Sequence, residues 1–176
     1  RHADDYAANE SYKNLEPEYI AVSGDKAFVT LQENNAIAVI DLNTNTVESI
    51  NDLGTHEVTI DGSDKDGGIE INDVVNAVVM PDSIETFVLD GKTYVIVGSE
   101  GDARGDDADI DRAGDYTGVD TTLANNPGNL TTNLDDVTGI GRLDLIRDLS
   151  DTDGDGDLDD IVALSDRGIT ILEYNT

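Results

Sequence analysis

The chain has 176 residues, no cysteine and two histidines. It is long enough for one domain and has no material for a disulfide framework, a thiolate nucleophile or a Cys- or His-rich zinc site. Its 39 acidic against 10 basic residues give a formal charge of −29, which repels phosphate backbones and anionic lipid, so nucleic acid is not expected as a partner, and no run is long and apolar enough to span a bilayer. Apolar residues make up 38%, a small share that suits thin, layered cores.

Short alternating segments punctuated by Gly, Asn and Asp run from Tyr19 onward. Tyr19 to Ser23 reads as a strand, Gly24-Asp25 as a tight hairpin turn and Lys26 to Leu31 as the return. Glu33-Asn34-Asn35 turns into Ala36 to Leu42, and Asn43-Thr44-Asn45 turns into Thr46 to Ile50. Four strands joined by short turns are the make-up of one propeller blade. Asp73 to Met80 is too short an apolar run to assign to strand or helix. A second pass begins at Pro81, with strands Ile84 to Leu89 and Lys92 to Val97 around the Asp90-Gly91 turn. A third set comprises Gly141 to Ile146, Asp160 to Leu164 and Gly168 to Leu172.

The first two passes repeat in their residues. Pro17-Glu18-Tyr19-Ile20 matches Pro81-Asp82-Ser83-Ile84, Lys26-Ala27-Phe28-Val29 matches Lys92-Thr93-Tyr94-Val95, and Glu33-Asn34-Asn35-Ala36 matches Glu100-Gly101-Asp102-Ala103. The offset predicts one blade plus an inserted loop over 51–80. Repetition of a four-stranded unit favours a propeller over a sandwich. The expected fold is therefore all-β, a partial β-propeller of about three four-stranded blades with long acidic loops. Residues 1–176 form one propeller segment of a larger propeller, with 101–139 as a long acidic loop insertion.

Three sets of residues resemble the choice-of-anchor I domain family. They are Glu16 to Ser23 with Ala27 to Leu42, Asp64 to Ile71, and Asp90 to Tyr94 leading to Glu100-Gly101-Asp102-Ala103-Arg104. Asp151-Thr152-Asp153-Gly154-Asp155-Gly156-Asp157 adds to the likeness, which thins over 105–139. The resemblance implies a secreted or surface-anchored β-propeller similar to the lactonase and YVTN-type propellers, and an extracellular or cell-surface location. Some members carry an alkaline-phosphatase label, and the resemblance supplies no catalytic residues. The loop after Gly54-Thr55-His56 is shorter here than in the family pattern.

The sharpest motif is Asp151-Thr152-Asp153-Gly154-Asp155-Gly156-Asp157-Leu158-Asp159-Asp160. Oxygen donors Asp151, Asp153, Asp155 and Asp159 fall at positions 1, 3, 5 and 9, Gly156 makes the sharp turn at 6, and Asp157 offers its backbone carbonyl at 7. Position 12 is Val162, so a strand follows rather than the exiting helix of an EF-hand. The motif predicts one Ca²⁺. Asp61, Asp64, Asp66, Glu70 and Asp73 form a second cluster that reads first as an acidic loop, with a second cation site at Asp61, Asp64 and Asp66 as the alternative. The run Asp106, Asp107, Asp109, Asp111 and Asp115 reads as a solvated loop.

Equivalence across the repeat adds a third constellation. Glu18 and Asp82 open equivalent strands, and Glu33 and Glu100 close equivalent ones. In a propeller such positions converge on the axis. Glu18, Asp82, Glu100, Asp102 and Arg104 are therefore candidates for a ligand-binding mouth, against the plainer reading of blade-entry caps and a structural ion pair. No Gly-x-Ser-x-Gly elbow, P-loop or dinucleotide fingerprint occurs. The acidity itself suits either solubility in high salt or cation binding. The expected function is a secreted or cell-surface calcium-binding propeller acting as a binding and structural module. The alternative is a metal-dependent hydrolase of phosphoesters or lactones with its site at the mouth. Other blades of the same protein, or other chains, are the expected partners covering open blade faces.

Overall fold

The computed structural model describes residues 15–103, 109–119, 134 and 138–175. Twelve strands, in three sheets of which none closes on itself, one four-residue helix and three 3₁₀ turns make up the regular structure among them. The fold is all-β. Two compact units divide the described residues: 15–54, 79–102 and 167–175 in the first, and 55–78, 103, 109–119, 134 and 138–166 in the second.

The first unit begins with a four-stranded antiparallel meander of β1 (Pro17–Ser23), β2 (Lys26–Leu31), β3 (Ala36–Asp41) and β4 (Thr46–Asp52). A two-residue loop between Ser23 and Lys26 fixes the register of the first hairpin, and four-residue connections join Leu31 to Ala36 and Asp41 to Thr46. The β3–β4 turn is held by Asp41, whose carboxylate accepts from the Asn43 and Thr44 amides, both at 2.9 Å. Lys26 reaches Asp41 and Glu48, each at 2.7 Å, and with the Thr44 amide it holds the Asp41 carboxyl down at about 2.

The second sheet of this unit contains β7 (Pro81–Leu89), β8 (Lys92–Ser99) and β12 (Ile169–Tyr174) in the order β12-β8-β7, all antiparallel. Asp90 and Gly91 both have positive φ, 51° and 79°, the pairing whose twist matches a two-residue hairpin. The sequence repeat is also a repeat of geometry. Pairing shifts by a bulge after Pro17 in β1 and again after Pro81 in β7. Lys26 opens β2 and pairs with Asp41, and Lys92 opens β8 and pairs with Glu173 at 2.8 Å.

The two sheets meet through Phe28, Ile37 and Val39 on one side and Val95, Val97, Ile84 and Leu172 on the other, with Val79 between them. Phe28 meets Tyr174 edge-on at a centroid distance of 5.1 Å. The opposite face of the first sheet is buried at Leu31, Ala36 and Ala38, with Leu15 packed against it.

One buried side chain ties this unit together. Asn35 follows a 3₁₀ turn at Gln32–Asn34 and adopts the left-handed conformation, φ 50° and ψ 44°, which Asn tolerates better than other side chains. Its Oδ1 accepts from the Val79 and Met80 amides at 2.9 and 3.0 Å. Its Nδ2 donates to the Gly54 carbonyl at 2.8 Å and to Asp52 at 3.3 Å, and its carbonyl accepts from the Leu53 amide. The side chain thus secures the start of β3, the exit from β4 and the entry to β7.

The second unit is built on a five-stranded sheet in the order β5-β6-β11-β10-β9, where β5 is Thr55–Ile60, β6 Asp73–Val78, β9 Ile110–Arg112, β10 Asp144–Ile146 and β11 Val162–Ala163. The helix α1 (Arg147–Ser150) follows β10. β6 pairs antiparallel with β5 and parallel with β11. Within β6, Val75, Ala77 and Val78 are buried and Val74 and Asn76 half-buried. Val75, Ala77, Ile140, Leu145, Leu158 and Ile161 form the buried core.

Two features differ from the sequence reading. The insertion over 51–80 carries strands β5 and β6 rather than only a loop; β5 buries little, its pattern being mostly exposed, so it lacks an apolar signal. The third set of strands is not one blade. β10 and β11 join the five-stranded sheet, while β12 pairs with β8, because Leu172 and Tyr174 on alternate positions pack into the first unit's core.

Asn35→Ala leaves two buried amide donors and a carbonyl without partners. The expected loss is about 2–4 kcal/mol of unfolding free energy, read as a lower denaturant midpoint at unchanged slope.

Candidate metal centre

The chain enters the loop at Ser150, which is fully buried. The Ser150 carbonyl accepts from the Asp159 and Asp160 amides at 2.8 and 3.2 Å, and its hydroxyl accepts from the Val162 amide at 3.2 Å. The two ends of the acidic run are thereby pinned to one residue. Gly154 and Gly156 take φ values of 78° and 92°, which side-chain-bearing residues rarely adopt. With them the chain curls around the first carboxylate: Asp151 accepts from the Gly154 amide at 2.7 Å and the Gly156 amide at 3.0 Å. Asp153 accepts from the Asp155 amide at 3.2 Å and Asp155 from the Asp157 amide at 3.1 Å. Asp159 accepts from the amide and hydroxyl of Thr152, which hold its carboxyl below the usual range and so ionised.

Oxygens of Asp151, Asp153 and Asp159 come within 4.8 Å of one another. Among the described residues this is the group of acids that converges in this way. Asp155 is exposed and Asp157 half-buried; neither carboxylate joins the group. Asp160 is used otherwise: Asn76 donates to both its oxygens, at 3.0 and 2.8 Å, tying the loop's exit to β6. Leu158 is buried and its amide donates to Gly118 at 3.0 Å, while Thr117 donates its amide and hydroxyl to Gly156, both at 2.9 Å. Three like charges so close repel one another, and an all-oxygen donor set without nitrogen or sulfur suits a hard dication. Tyr116 stands beside this loop. Burial first, then the charges of Asp111 and Asp151, push its hydroxyl up to about 12.

The remaining candidates lie elsewhere. Asp64 is gripped by Arg142 at 2.7 and 3.3 Å, with Lys65 at 3.3 Å, and is held at about 2. Asp61 and Asp66 accept from the nearby amides of Ser63 and Gly68. Asp61, Asp64 and Asp66 do not form a converging group. Asp111 lies within the short strand β9, flanked by Asp109 and Asp115; Arg147 engages Asp111 with a 2.9 Å contact and Asp115 accepts from the Arg112 amide. Arg104, Asp106 and Asp107 lie outside the described residues.

Of the proposed mouth residues, Glu18 and Asp102 are both close enough to act on Glu33. Burial first, then the charges of Glu16, Glu18 and Asp102, raise the Glu33 carboxyl above its ordinary value, and its Oε2 is buried without a hydrogen-bond partner among the described residues. The start of β1, the turn after β2 and the segment after β8 therefore gather carboxylates. Glu100 contributes backbone, its carbonyl accepting from Gln32 at 2.8 Å. Asp82 is half-buried at the start of β7. Sequence reasoning did not single out Ser150, Asn76 or Glu16, which carry no motif spacing of their own.

A family model, that of the choice-of-anchor I domain, matches residues 2–176. No curated protein and no solved structure matches the chain.

Glu33 gives a pH test with a defined sign. A carboxyl raised in the folded state contributes stability below the unfolded value of about 4.3 and loses it as pH rises through the folded one. Glu33→Gln is expected to raise the melting temperature at neutral pH, with the gain shrinking toward zero in acid below about pH 4. Melting curves of the two proteins across pH check it.

Proposed function

We propose that this chain, which belongs to the choice-of-anchor I domain family, is a segment of a secreted or cell-surface β-propeller stiffened by calcium. It acts as a binding and structural module. Family membership suggests a surface-associated domain, and no helix among the described residues is long and apolar enough to cross a membrane. The strong negative charge keeps such a module off anionic lipid and nucleic acid.

The propeller reading is supported by the way the repeat stacks. In the first sheet, Phe28 pairs with Ala21 and Val39, and Thr30 with Ile37. In the second, Tyr94 pairs with Phe87 and Glu173, and Ile96 with Ile171. The Phe28–Ile37–Val39 face of the first sheet packs onto the second. The corresponding face of the second sheet carries Phe87 stacked on Tyr94 at 5.2 Å, with Ile171 and Ile169 exposed. A further blade, from this protein or another chain, is the natural cover for it.

The observation that carries the calcium reading is that three converging carboxylates belong to one loop whose ends Ser150 joins. A cation held by Asp151, Asp153 and Asp159, with Asp155 and the Asp157 carbonyl as further donors, closes that loop on itself. A donor set confined to one loop suits a structural ion. The hydrolase alternative draws support from Glu33 and its neighbouring acids, where a metal would sit at the mouth.

Calcium at a hundredfold excess over Kd is expected to add about 2.7 kcal/mol of stability. Asp153→Asn, which keeps the turn-forming oxygen but drops the charge, is expected to weaken that gain. Terbium in place of calcium is expected to give tyrosine-sensitised emission that falls in Tyr116→Phe. Identical melting in chelator and in millimolar calcium contradicts the calcium reading, and metal-dependent turnover of phosphoesters or lactones favours the hydrolase.

A further inference from the structure

We infer that Asp66–Gly67, in the loop between β5 and β6, is a site of self-modification at which the folded chain isomerises to a β-linked aspartate. The inference rests neither on the cation nor on the propeller reading, and the reaction needs only water. The Gly67 nitrogen attacks Cγ of the Asp66 carboxyl. The N–Cγ bond forms, the Cγ–O bond breaks, and the nitrogen's proton leaves with the hydroxyl as water. Water then adds to the main-chain carbonyl carbon of Asp66 in the resulting succinimide and breaks its bond to nitrogen. The chain now runs through the former side-chain carbon, and the former main-chain carbonyl becomes the free carboxylate. Charge and composition are unchanged, while the main chain gains one carbon.

Aspartate followed by glycine occurs at Asp61, Asp66, Asp90, Asp153 and Asp155, and glycine has no Cβ to shield the attacking nitrogen. Four of these pairs share one local geometry, in which the carboxylate reaches over the glycine to the amide beyond it. Asp61 accepts from Ser63 at 3.5 Å, Asp66 from Gly68 at 3.2 Å, Asp153 from Asp155 at 3.2 Å and Asp155 from Asp157 at 3.1 Å. What separates them is the amide in between. Gly62 donates to Asp73 at 3.1 Å and is so closely packed that a Cβ there would lie 2.8 Å from Asp73 Oδ2 and from Ile140 Cγ2. Gly154 and Gly156 both donate to Asp151, at 2.7 and 3.0 Å. Each of these charge-assisted bonds must break before the nitrogen can attack. The Gly67 amide donates to no described residue, nothing lies within 4 Å of its Cβ position, and both Asp66 and Gly67 are exposed. Asp90 and Gly91 are exposed too, but they fill a two-residue turn closed by the Leu89–Lys92 pairing, both at positive φ. Ring closure there must rotate the peptide plane that the turn fixes. The loop around Asp66 is anchored at its base, where Asn72 donates to the Ile60 carbonyl at 3.1 Å, and by Arg142 on Asp64 at 2.7 Å. The added carbon is therefore taken up within the loop.

Peptide mapping with electron-transfer fragmentation, which distinguishes β-linked from α-linked aspartate, tests this on the folded chain kept warm in chelator. Isomerisation at Asp66 is expected to outpace that at each of the other four pairs at least about tenfold, with the melting temperature unchanged as the product accumulates. In denaturant the five rates are expected to converge. Asp66→Glu, whose longer side chain closes a less favourable ring, is expected to stay α-linked at that position and to leave the other four rates as they were. Equal rates at all five pairs in the folded chain, or a lead by Asp90, overturn the inference. A ranking that persists in denaturant overturns it as well, because sequence and not fold then sets the rates. An Asp66 that stays α-linked in the folded chain while the unfolded chain reacts overturns it outright. Chelator keeps every one of these outcomes separate from the calcium reading.

Discussion

The first unit depends on the carboxamide of Asn35. A buried side-chain amide with both lone pairs and both N–H bonds engaged is stabilising, and one left half-satisfied is costly. Here the four bonds run to residues far apart in sequence: Asp52 and Gly54 on one side, Val79 and Met80 on the other. The backbone at Asn35 is left-handed, as it is at Met80, φ 48°. Both are conformations that surrounding contacts must hold in place. The exit of one four-stranded sheet and the entry of the next are thus set against each other at one point, and the apolar faces that follow come into register.

From that point the packing is repetitive. The first sheet lays Phe28, Ile37 and Val39 on the Val95, Val97 and Leu172 face of the second. The second sheet is completed only by β12, which arrives after the entire second unit has been made in sequence. A continuous repeat would have closed β7, β8 and their successor as neighbours. Instead β9, β10 and β11 come between β8 and β12 in the chain and join β5 and β6, from before β7, in a five-stranded sheet with a parallel β6–β11 pairing, and the acidic loop at Asp151 lies within that inserted material. The loop's three converging carboxylates are held by glycines at positive φ, by Ser150 and by Gly118. Its geometry is therefore organised by the protein's own hydrogen bonds.

Much of this was legible in the residues. β1 through β4, β7 and β8 follow from alternation and turn chemistry, because each is hairpin-connected and half-buried. The Asp151 loop follows from donor spacing. Other features were not legible for physical reasons. β12 has the pattern of a strand, yet no local signal states that its partner is β8, some 70 residues earlier. β6 carries Val74 and Val75 on adjacent positions, so its apolar run lacks the alternation that marks a strand, and its parallel partner β11 lies far along the chain. β9 and β11 are three and two residues long and owe their placement to Arg147 on Asp111 and to Asn76 on Asp160. The acidic cluster at Asp64 gave no hint of Arg142, which lies 78 positions away. Asn35 was visible only as a turn residue; its role as a tie depends on what long-range packing brings within reach.

The central claim is that two copies of one strand pattern stack face to face in the first unit. The chain has two phenylalanines, and each marks a different contact. Phe28 meets Tyr174 edge-on across the two sheets at 5.1 Å, whereas Phe87 stacks on Tyr94 within one sheet at 5.2 Å. The most direct measurement is the pattern of proton–proton Overhauser contacts between aromatic rings in solution. The account predicts cross-peaks from Phe28 to Tyr174 and to the methyls of Val95 and Val97, together with the Phe87–Tyr94 contact. A spectrum with the Phe87–Tyr94 contact but none from Phe28 to Tyr174 or those valines would show two folded sheets that do not stack, and would contradict it.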